Sequence, residues 1–168
     1  MYKVLIAEDE LLVRMGLVSY ISWRDYGMRV VAAEADGEAA WARLVELEPD
    51  VVITDLRMPL LDGQALIRRI RESGRRCEII VITCAEDFAT VQALFNYDIR
   101  AYLLKATMTN EDIVAAILRV REVLKRYEPQ GAPGGAAYSE EEKLEAWLRA
   151  GAPTEKGRAD FGFPCTLA

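Results

Sequence analysis

Short apolar runs rich in β-branched residues alternate along the chain with longer stretches in which apolar side chains recur at helical spacing. The five short runs, which have the length and composition of β-strands, are Lys3–Ala7, Arg29–Ala33, Val51–Thr54, Glu78–Thr83 and Ala101–Leu104. The residues that recur at helical spacing are Leu11, Met15 and Val18, then Ala39, Leu44 and Leu47, then Leu66 and Ile70, then Val91, Leu94 and Phe95, and finally Ile113, Ile117, Val120 and Leu124. Thr109 and Asp112 have the spacing of a capping box, which predicts that the last helix begins there.

The predicted strands are apolar along their length, which is typical of strands that are buried on both faces. We therefore expect a doubly wound α/β fold, in which helices cover both faces of a parallel sheet in a three-layer (βα)5 sandwich. Its expected strand order is the flavodoxin-like order 2-1-3-4-5, which is assumed at this stage because the residues do not show it.

The strand and helix pattern stops near Tyr127, where a segment rich in proline and glycine begins. Because this segment has few side chains that can bury surface, we predict a domain over residues 1–127 and a flexible linker over residues 128–138. Residues 139–168 contain the pattern of one short helix and a tail, which is too little to fold alone. They are either a C-terminal tail or, as we favour, the start of a truncated second domain.

Composition narrows the classes of function. With 21 Lys and Arg against 27 Asp and Glu, the net charge of −6 repels nucleic acid, so we do not expect this chain itself to bind DNA. The three cysteines are odd in number and lack metal-site spacing, which favours reduced, buried thiols in a cytoplasmic protein. Neither a signal-peptide pattern nor an apolar run of about 18 residues is present, so we expect neither export nor membrane insertion.

The chain contains no histidine. This excludes Ser-His-Asp triads, Cys-His pairs, histidine-ligated zinc and an internal phosphohistidine. Any chemistry in these residues must therefore depend on carboxylates, hydroxyls, lysines or a cofactor.

Polar side chains follow the predicted strands at their carboxyl ends, where open parallel sheets bind ligands. They are Glu8–Glu10 after the first strand, Asp55 after the third, Thr83 at the end of the fourth and Lys105 after the fifth. In the expected strand order Asp55 is central, with an acidic flank on one side and donor groups on the other. Clustered carboxylates need a cation, and hard oxygen ligands favour Mg²⁺. Asp55 would then be a nucleophile toward phosphorus that forms an aspartyl phosphate.

These motifs resemble the receiver domain of two-component response regulators, and the resemblance extends over residues 1–127. The segments that carry it are Glu8-Asp9, Asp55–Gly63, Thr83 and Tyr102–Lys105. The resemblance implies that a partner sensor histidine kinase phosphorylates Asp55, and that Thr83 and Lys105 contact the phosphoryl group. It further implies Mg²⁺ ligation by Glu8, Asp9, Asp55 and the Arg57 carbonyl, and a role for Tyr102 as the aromatic switch residue.

On this resemblance the chain is a phosphoacceptor and not an enzyme, apart from any self-dephosphorylation. The segments Ile21–Trp23, Tyr26–Gly27 and Asp55–Pro59 further resemble receivers joined to AraC-type DNA-binding domains, the YesN-like group. This implies control of transcription through an effector domain that is absent from these residues, and any DNA contact would be made by that domain. The resemblance leaves homodimerisation open and implies no membrane partner.

Two residues depart from the family pattern. Ala106 stands where the family usually has a proline after the lysine, so we do not expect a cis peptide at Lys105-Ala106. Asp98 stands where many relatives have a glycine that ends the fourth helix. Because aspartate tolerates left-handed geometry better than most residues, we expect the turn to be retained.

Three other functions fit parts of the pattern. A Mg²⁺-dependent aspartyl-phosphate hydrolase would also use an aspartate nucleophile, but it calls for an Asp-x-Asp motif that Glu8-Asp9-Glu10 does not provide. A nucleotide- or flavin-binding module should have a glycine-rich loop after the first strand, whereas residues 8–14 contain no glycine. A receiver-like scaffold that is never phosphorylated should have lost the acceptor or the lysine, and both Asp55 and Lys105 are present.

Overall fold

Five strands form one parallel sheet in the computed structural model, which describes residues 1–84, 94 and 97–127. The strands are β1 (Tyr2–Ala7), β2 (Met28–Glu34), β3 (Val51–Thr54), β4 (Glu78–Thr83) and β5 (Ala101–Leu104). Their order is β2-β1-β3-β4-β5 and every neighbouring pair is parallel. The predicted fold class and strand order are therefore confirmed.

The described helices lie on both faces of the sheet. They are α1 (Leu11–Ser19), a 3₁₀ turn (Trp23–Tyr26), α2 (Gly37–Leu47), α3 (Gly63–Glu72) and α4 (Asn110–Tyr127). The helix predicted around Val91 and Phe95 lies outside the described residues, apart from Leu94, which is buried. The predicted linker 128–138 and the segment 139–168 also lie outside them. No helix in the described ranges is long and apolar enough to span a bilayer.

Alternate residues of each strand supply two separate cores. On one face, strand residues such as Leu5, Val52 and Ile79 pack with Leu44 of α2 and Leu66 of α3. On the other face, the core residues are Val4, Ile6, Ile53, Ile80 and Ile82 with Leu17, Trp23, Ile113, Ile117 and Val120. Burying each such side chain is worth roughly 1.5–3 kcal/mol. Because both faces are covered, the middle of each central strand is apolar, and polar side chains lie toward the strand ends.

Helix α1 differs from expectation in the direction that it faces. Leu11, Met15 and Val18 recur at helical spacing, but they are 58%, 55% and 39% exposed. The residue of α1 that enters the core is Leu17. Helical spacing correctly predicts the helix here, but its apolar stripe faces outward.

Hydrogen bonds from two side chains, one near each end of α1, hold the helix in this orientation about its axis. At the start, Arg14 donates from Nη1 to the carbonyl oxygens of Glu8 at 2.5 Å and Asp9 at 3.1 Å, which directs this side of the helix toward the β1–α1 loop. At the end, the buried Trp23 donates from Nε1 to the Leu17 carbonyl at 2.9 Å. These contacts to backbone oxygens hold Leu17 toward the sheet.

The predicted start of the last helix is confirmed. The Thr109 amide donates to the Asp112 carboxylate at 2.8 Å, and the Asp112 amide donates to the Thr109 hydroxyl at 3.3 Å. The hydrogen bond from the Thr109 amide lowers the pKa of Asp112. This reciprocal pair is a capping box in front of α4.

The two departures from the family pattern have the expected geometry. No peptide bond between described residues is cis, which includes the bond between Lys105 and Ala106. Asp98 has a φ of 50°, in the left-handed region. Arg71 supports this turn by donating to the carbonyl oxygens of Tyr97 at 2.8 Å and Asp98 at 3.1 Å.

The cysteines only partly match the prediction of buried thiols. Cys77 is buried, whereas Cys84, which directly follows the end of β4, is exposed. Cys165 lies outside the described residues.

Burial raises the pKa of the Cys77 thiol to about 11, so it stays protonated in the folded protein well above the value of 9.0 for a free thiol. Because the thiolate is the nucleophile, we expect iodoacetamide at pH 8 to alkylate Cys84 but not Cys77 until the protein unfolds. Between pH 9 and about 11 ionisation favours the unfolded chain, so stability should fall as pH rises through this window. Peptide mapping with and without urea measures both sites. Equal native labelling of the two cysteines would contradict this prediction.

Candidate functional site

The backbone brings the candidate residues to one edge of the sheet. Beyond the paired strands, the Asp55 amide donates to the Ala7 carbonyl at 2.9 Å, and the Lys105 amide donates to the Thr83 carbonyl at 2.9 Å. The Glu8 amide likewise donates to the Glu34 carbonyl at 3.0 Å. The hydrogen-bond ladder thus continues past the strand ends and fixes the starting points of the site side chains.

Asp55 is buried, and both of its carboxylate oxygens are engaged. Oδ1 accepts from the amides of Leu56 at 2.5 Å and Arg57 at 3.2 Å. Oδ2 accepts from Lys105 Nζ at 2.7 Å. The carboxylate is therefore oriented by its own loop on one side and by a cation on the other.

Two glycines allow neighbouring backbone to pack closely against the loop that follows Asp55. A Cβ on Gly63 would lie 1.9 Å from the Asp55 carbonyl oxygen, and a Cβ on Gly37 would lie 2.0 Å from the Leu61 carbonyl oxygen. Neither contact is sterically allowed, so both positions require glycine. Asp62 accepts from the Ala65 amide at 2.7 Å and caps α3, so Asp62 and Gly63 open this helix.

Lys105 lies at the centre of an acidic cluster. Its Nζ is 2.7 Å from Glu8 Oε1, 2.8 Å from Glu10 Oε1 and 2.7 Å from Asp55 Oδ2. Burial alone would lower the lysine pKa, but hydrogen bonds to Asp55, Glu10 and Glu8 outweigh that effect and raise it. Lys105 therefore remains an ammonium ion throughout the physiological range.

Glu8 is the most buried carboxylate of the site. Burial raises its pKa to about 7, against the opposing effect of Lys105. Oε1 accepts from Lys105 and from the Glu10 amide at 3.1 Å, whereas the buried Oε2 has no hydrogen-bond partner among the described residues. A buried, unpartnered carboxylate oxygen indicates a place for a further donor or a cation.

The acidic residues fit a hard divalent cation. Glu8, Asp9 and Asp55 each offer one oxygen, and these oxygens lie within 4.8 Å of one another. Mg²⁺ prefers such oxygen ligands and needs few of them from the protein. Arg57 contributes its amide to Asp55, whereas the role of its carbonyl as a ligand stays a prediction.

Comparison with known proteins decides the family. A model of the response regulator receiver domain matches residues 4–118. The chain belongs to this family.

Several receiver-domain proteins are similar to this chain. The transcriptional regulatory protein YesN of Bacillus subtilis is 29% identical over 126 residues, which cover 75% of this chain and 34% of YesN. An uncharacterized response regulatory protein of Staphylococcus epidermidis is 34% identical over 82% of this chain and 53% of its own length. The solved REC domain of AraT, a response regulator from Geobacillus stearothermophilus, is 36% identical with a TM-score of 0.70, covering 74% of this chain and 96% of that domain. The chain thus spans about a third to half of these curated relatives.

Two further residues of this receiver domain lie on the β4–β5 side. Thr83 is fully buried at the end of β4 and holds the Lys105 amide through its carbonyl. Tyr102 in β5 is partly buried and packs against the core that also contains Leu94. The roles of the Thr83 hydroxyl and the Tyr102 ring stay predictions.

Sequence reasoning missed two contacts of the site. It did not identify Glu10 as a partner of Lys105, because nothing in a sequence shows which of three adjacent carboxylates faces a lysine 95 residues away. It also missed Arg14, although a signal was available. A basic residue four positions after Glu10, in the first turn of a helix, lies on the side of the preceding loop.

Proposed function

We propose that this receiver domain accepts a phosphoryl group on Asp55 from a phosphohistidine of a separate sensor kinase. The observation that carries the proposal is the pairing of Asp55 with Lys105 at 2.7 Å, beside Glu8, whose second buried oxygen is unpartnered. Such an arrangement combines a nucleophile with fixed charge for a transferred phosphoryl group. The absence of histidine from the chain agrees with a donor that resides on another protein.

The contacts of Asp55 suggest how the transfer proceeds. Oδ1 is held by two amides, so Oδ2 is the oxygen that attacks phosphorus beside the Lys105 ammonium. The new oxygen–phosphorus bond forms as the phosphorus–nitrogen bond of the donor breaks, and the leaving imidazole takes up a proton. Mg²⁺ bound by Glu8, Asp9, Asp55 and the Arg57 carbonyl would neutralise charge on the phosphoryl oxygens. The Lys105 ammonium, which contacts Glu8 and Asp55, would supply further neutralisation.

Thr83 and Tyr102 are proposed to transmit the change. The Thr83 hydroxyl would bind a phosphoryl oxygen, and Tyr102 would follow it inward. This would bias the face formed by β5 and α4 toward a partner. The two states need to differ by only a few kcal/mol for such a shift.

The remaining proposals concern the whole protein. We assign residues 1–127 to the receiver, residues 128–138 to a linker and residues 139–168 to the start of a second domain. The regulated process is transcription, through an effector domain of AraC type that is not among these residues. In this scheme the protein is cytoplasmic, and the receiver is a phosphoacceptor rather than an enzyme.

Intact-mass analysis after incubation with acetyl phosphate and Mg²⁺ tests the proposed function. One phosphoryl group should be added to wild type and to Asp25→Asn, an exposed aspartate remote from the site, but none to Asp55→Asn. EDTA should abolish the labelling. Equal labelling of wild type and Asp55→Asn, or labelling that persists in EDTA, would overturn the assignment. Continuous release of phosphate from a phosphate ester would favour the hydrolase instead.

A further inference from the structure

All three hydrogen-bond donors of the Lys105 ammonium have a partner. An ammonium has three N–H donors, and Nζ lies within 2.8 Å of Glu8, Glu10 and Asp55. Because Asp55 Oδ2 is itself the attacking oxygen, a phosphoryl group would take over the donor that Oδ2 now accepts, and it gains a second hydrogen bond from Lys105 only if another carboxylate leaves.

Glu10 is the carboxylate that can leave most easily. Its side chain is 55% exposed, whereas those of Glu8 and Asp55 are 1% and 6% exposed, so water can solvate only Glu10 freely on release. Its backbone is anchored independently, because its amide donates to Glu8 Oε1 at 3.1 Å and its carbonyl accepts from the Arg14 amide at 2.9 Å. The side chain can thus swing into solvent without moving the loop that carries the acidic residues.

We propose that Glu10 is a positioning residue that occupies a second donor of Lys105 until a phosphoryl group on Asp55 displaces it. This inference rests on the proposed function, because it requires a phosphoryl group on Asp55. In the resting protein Glu10 holds Lys105 in place and keeps the third donor satisfied. During transfer it competes with the incoming phosphoryl oxygen for the same N–H, and it therefore slows phosphorylation and weakens binding of phosphoryl mimics.

Two variants distinguish the effect of the Glu10–Lys105 contact from the effect of the negative charge of Glu10. Glu10→Gln keeps the shape of the side chain but removes its charge. Glu10→Asp keeps the charge but shortens the side chain by about 1.5 Å, which breaks the contact with Lys105. Glu46→Gln is the matched control, since Glu46 is 60% exposed and paired with Arg43 near the far end of α2.

The experiment measures the initial rate of labelling by acetyl phosphate with saturating Mg²⁺, together with the affinity for beryllium trifluoride. We expect Glu10→Gln to raise both by about three- to fivefold, the range that a partly exposed ion pair supports. Glu10→Asp should match Glu10→Gln within about a factor of two. Glu46→Gln should match wild type. The Mg²⁺ affinity should be equal in all four proteins.

Each contrary result would show which part of the inference is wrong. If wild type is labelled and Glu10→Gln has the wild-type rate, Glu10 does not compete for Lys105. If Glu10→Asp behaves as wild type while Glu10→Gln is faster, general repulsion accounts for the effect and the contact does not. Slower labelling with weaker Mg²⁺ binding would make Glu10 a metal ligand, which also overturns the inference. If wild type itself is not labelled, the proposed function fails and the inference falls with it.

Discussion

Lys105→Met is expected to lower the free energy of unfolding by about 3–5 kcal/mol in the absence of divalent cations. The substitution leaves Glu8 and Asp55, which are 1% and 5% exposed, without the ammonium that lies 2.7 Å from each of them. Urea denaturation in EDTA at pH 7.5 measures the effect. Lys125→Met is the control, because Lys125 is 47% exposed and paired only with Glu122 across one helical turn, so its loss should be close to neutral.

The loss in Lys105→Met should depend on pH and on Mg²⁺. Burial raises the pKa of Glu8 to about 7, so its protonated form is favoured in the folded protein. Because the Lys105 ammonium lowers the pKa of Glu8, its loss should raise that pKa further, so the destabilisation should grow as pH rises above about 7 and shrink as pH falls toward 7. Mg²⁺ at 100 times its Kd for the variant should stabilise Lys105→Met by about 2.7 kcal/mol relative to the variant in EDTA. A loss below about 1 kcal/mol at pH 7.5 in EDTA, or a variant that Mg²⁺ does not stabilise, would contradict the described geometry.

Gly63→Ala is expected to destabilise the protein by about 3 kcal/mol or more, and to reduce phosphorylation of Asp55 at least tenfold. The added Cβ would lie 1.9 Å from the Asp55 carbonyl oxygen and 2.8 Å from Leu56 Cα, so the loop itself must move. Thermal unfolding and the initial rate of labelling by acetyl phosphate report the two effects.

The chain provides its own control for Gly63→Ala. Gly16 lies inside α1, and the nearest atom to an added Cβ there is 3.6 Å away on Tyr20. Gly16→Ala should therefore be neutral or stabilising by about 0.5–1 kcal/mol. If both variants unfold alike, contact between the two backbones does not explain the requirement for glycine at residue 63.

The sequence predicts the framework of the site because the strands carry strong local signals. Asp55 and Lys105 directly follow uninterrupted apolar runs, and the right-handed connections of a parallel sheet then place them on one edge. Asp98 and the Thr109–Asp112 pair were also predictable, since their geometry depends on a few neighbouring residues. The Asp98 turn and the Thr109–Asp112 capping box depend on interactions between residues that are close together in the sequence.

Features that depend on tertiary contacts were not predictable in the same way. Leu11 and Met15 fit a buried helical stripe as well as Leu17 does, and the orientation of α1 involves contacts of Arg14 and Trp23 with backbone oxygens that helical spacing does not reveal. The roles assigned to Thr83 and Tyr102 still rest on family resemblance, whereas the contacts of Asp55 rest on described geometry.

The two glycine contacts make one side of the site more rigid than the other. Gly37 of α2 packs against the Leu61 carbonyl, and Gly63 of α3 packs against the Asp55 carbonyl. The loop between Asp55 and Gly63 therefore cannot move on this side unless α2 or α3 moves as well. Backbone that is packed this closely is rigid, so this side of the site should stay fixed when the charge on Asp55 changes. We therefore expect the rearrangement that we propose for phosphorylation to occur on the other side of Asp55, at the strand ends that carry Thr83 and Lys105.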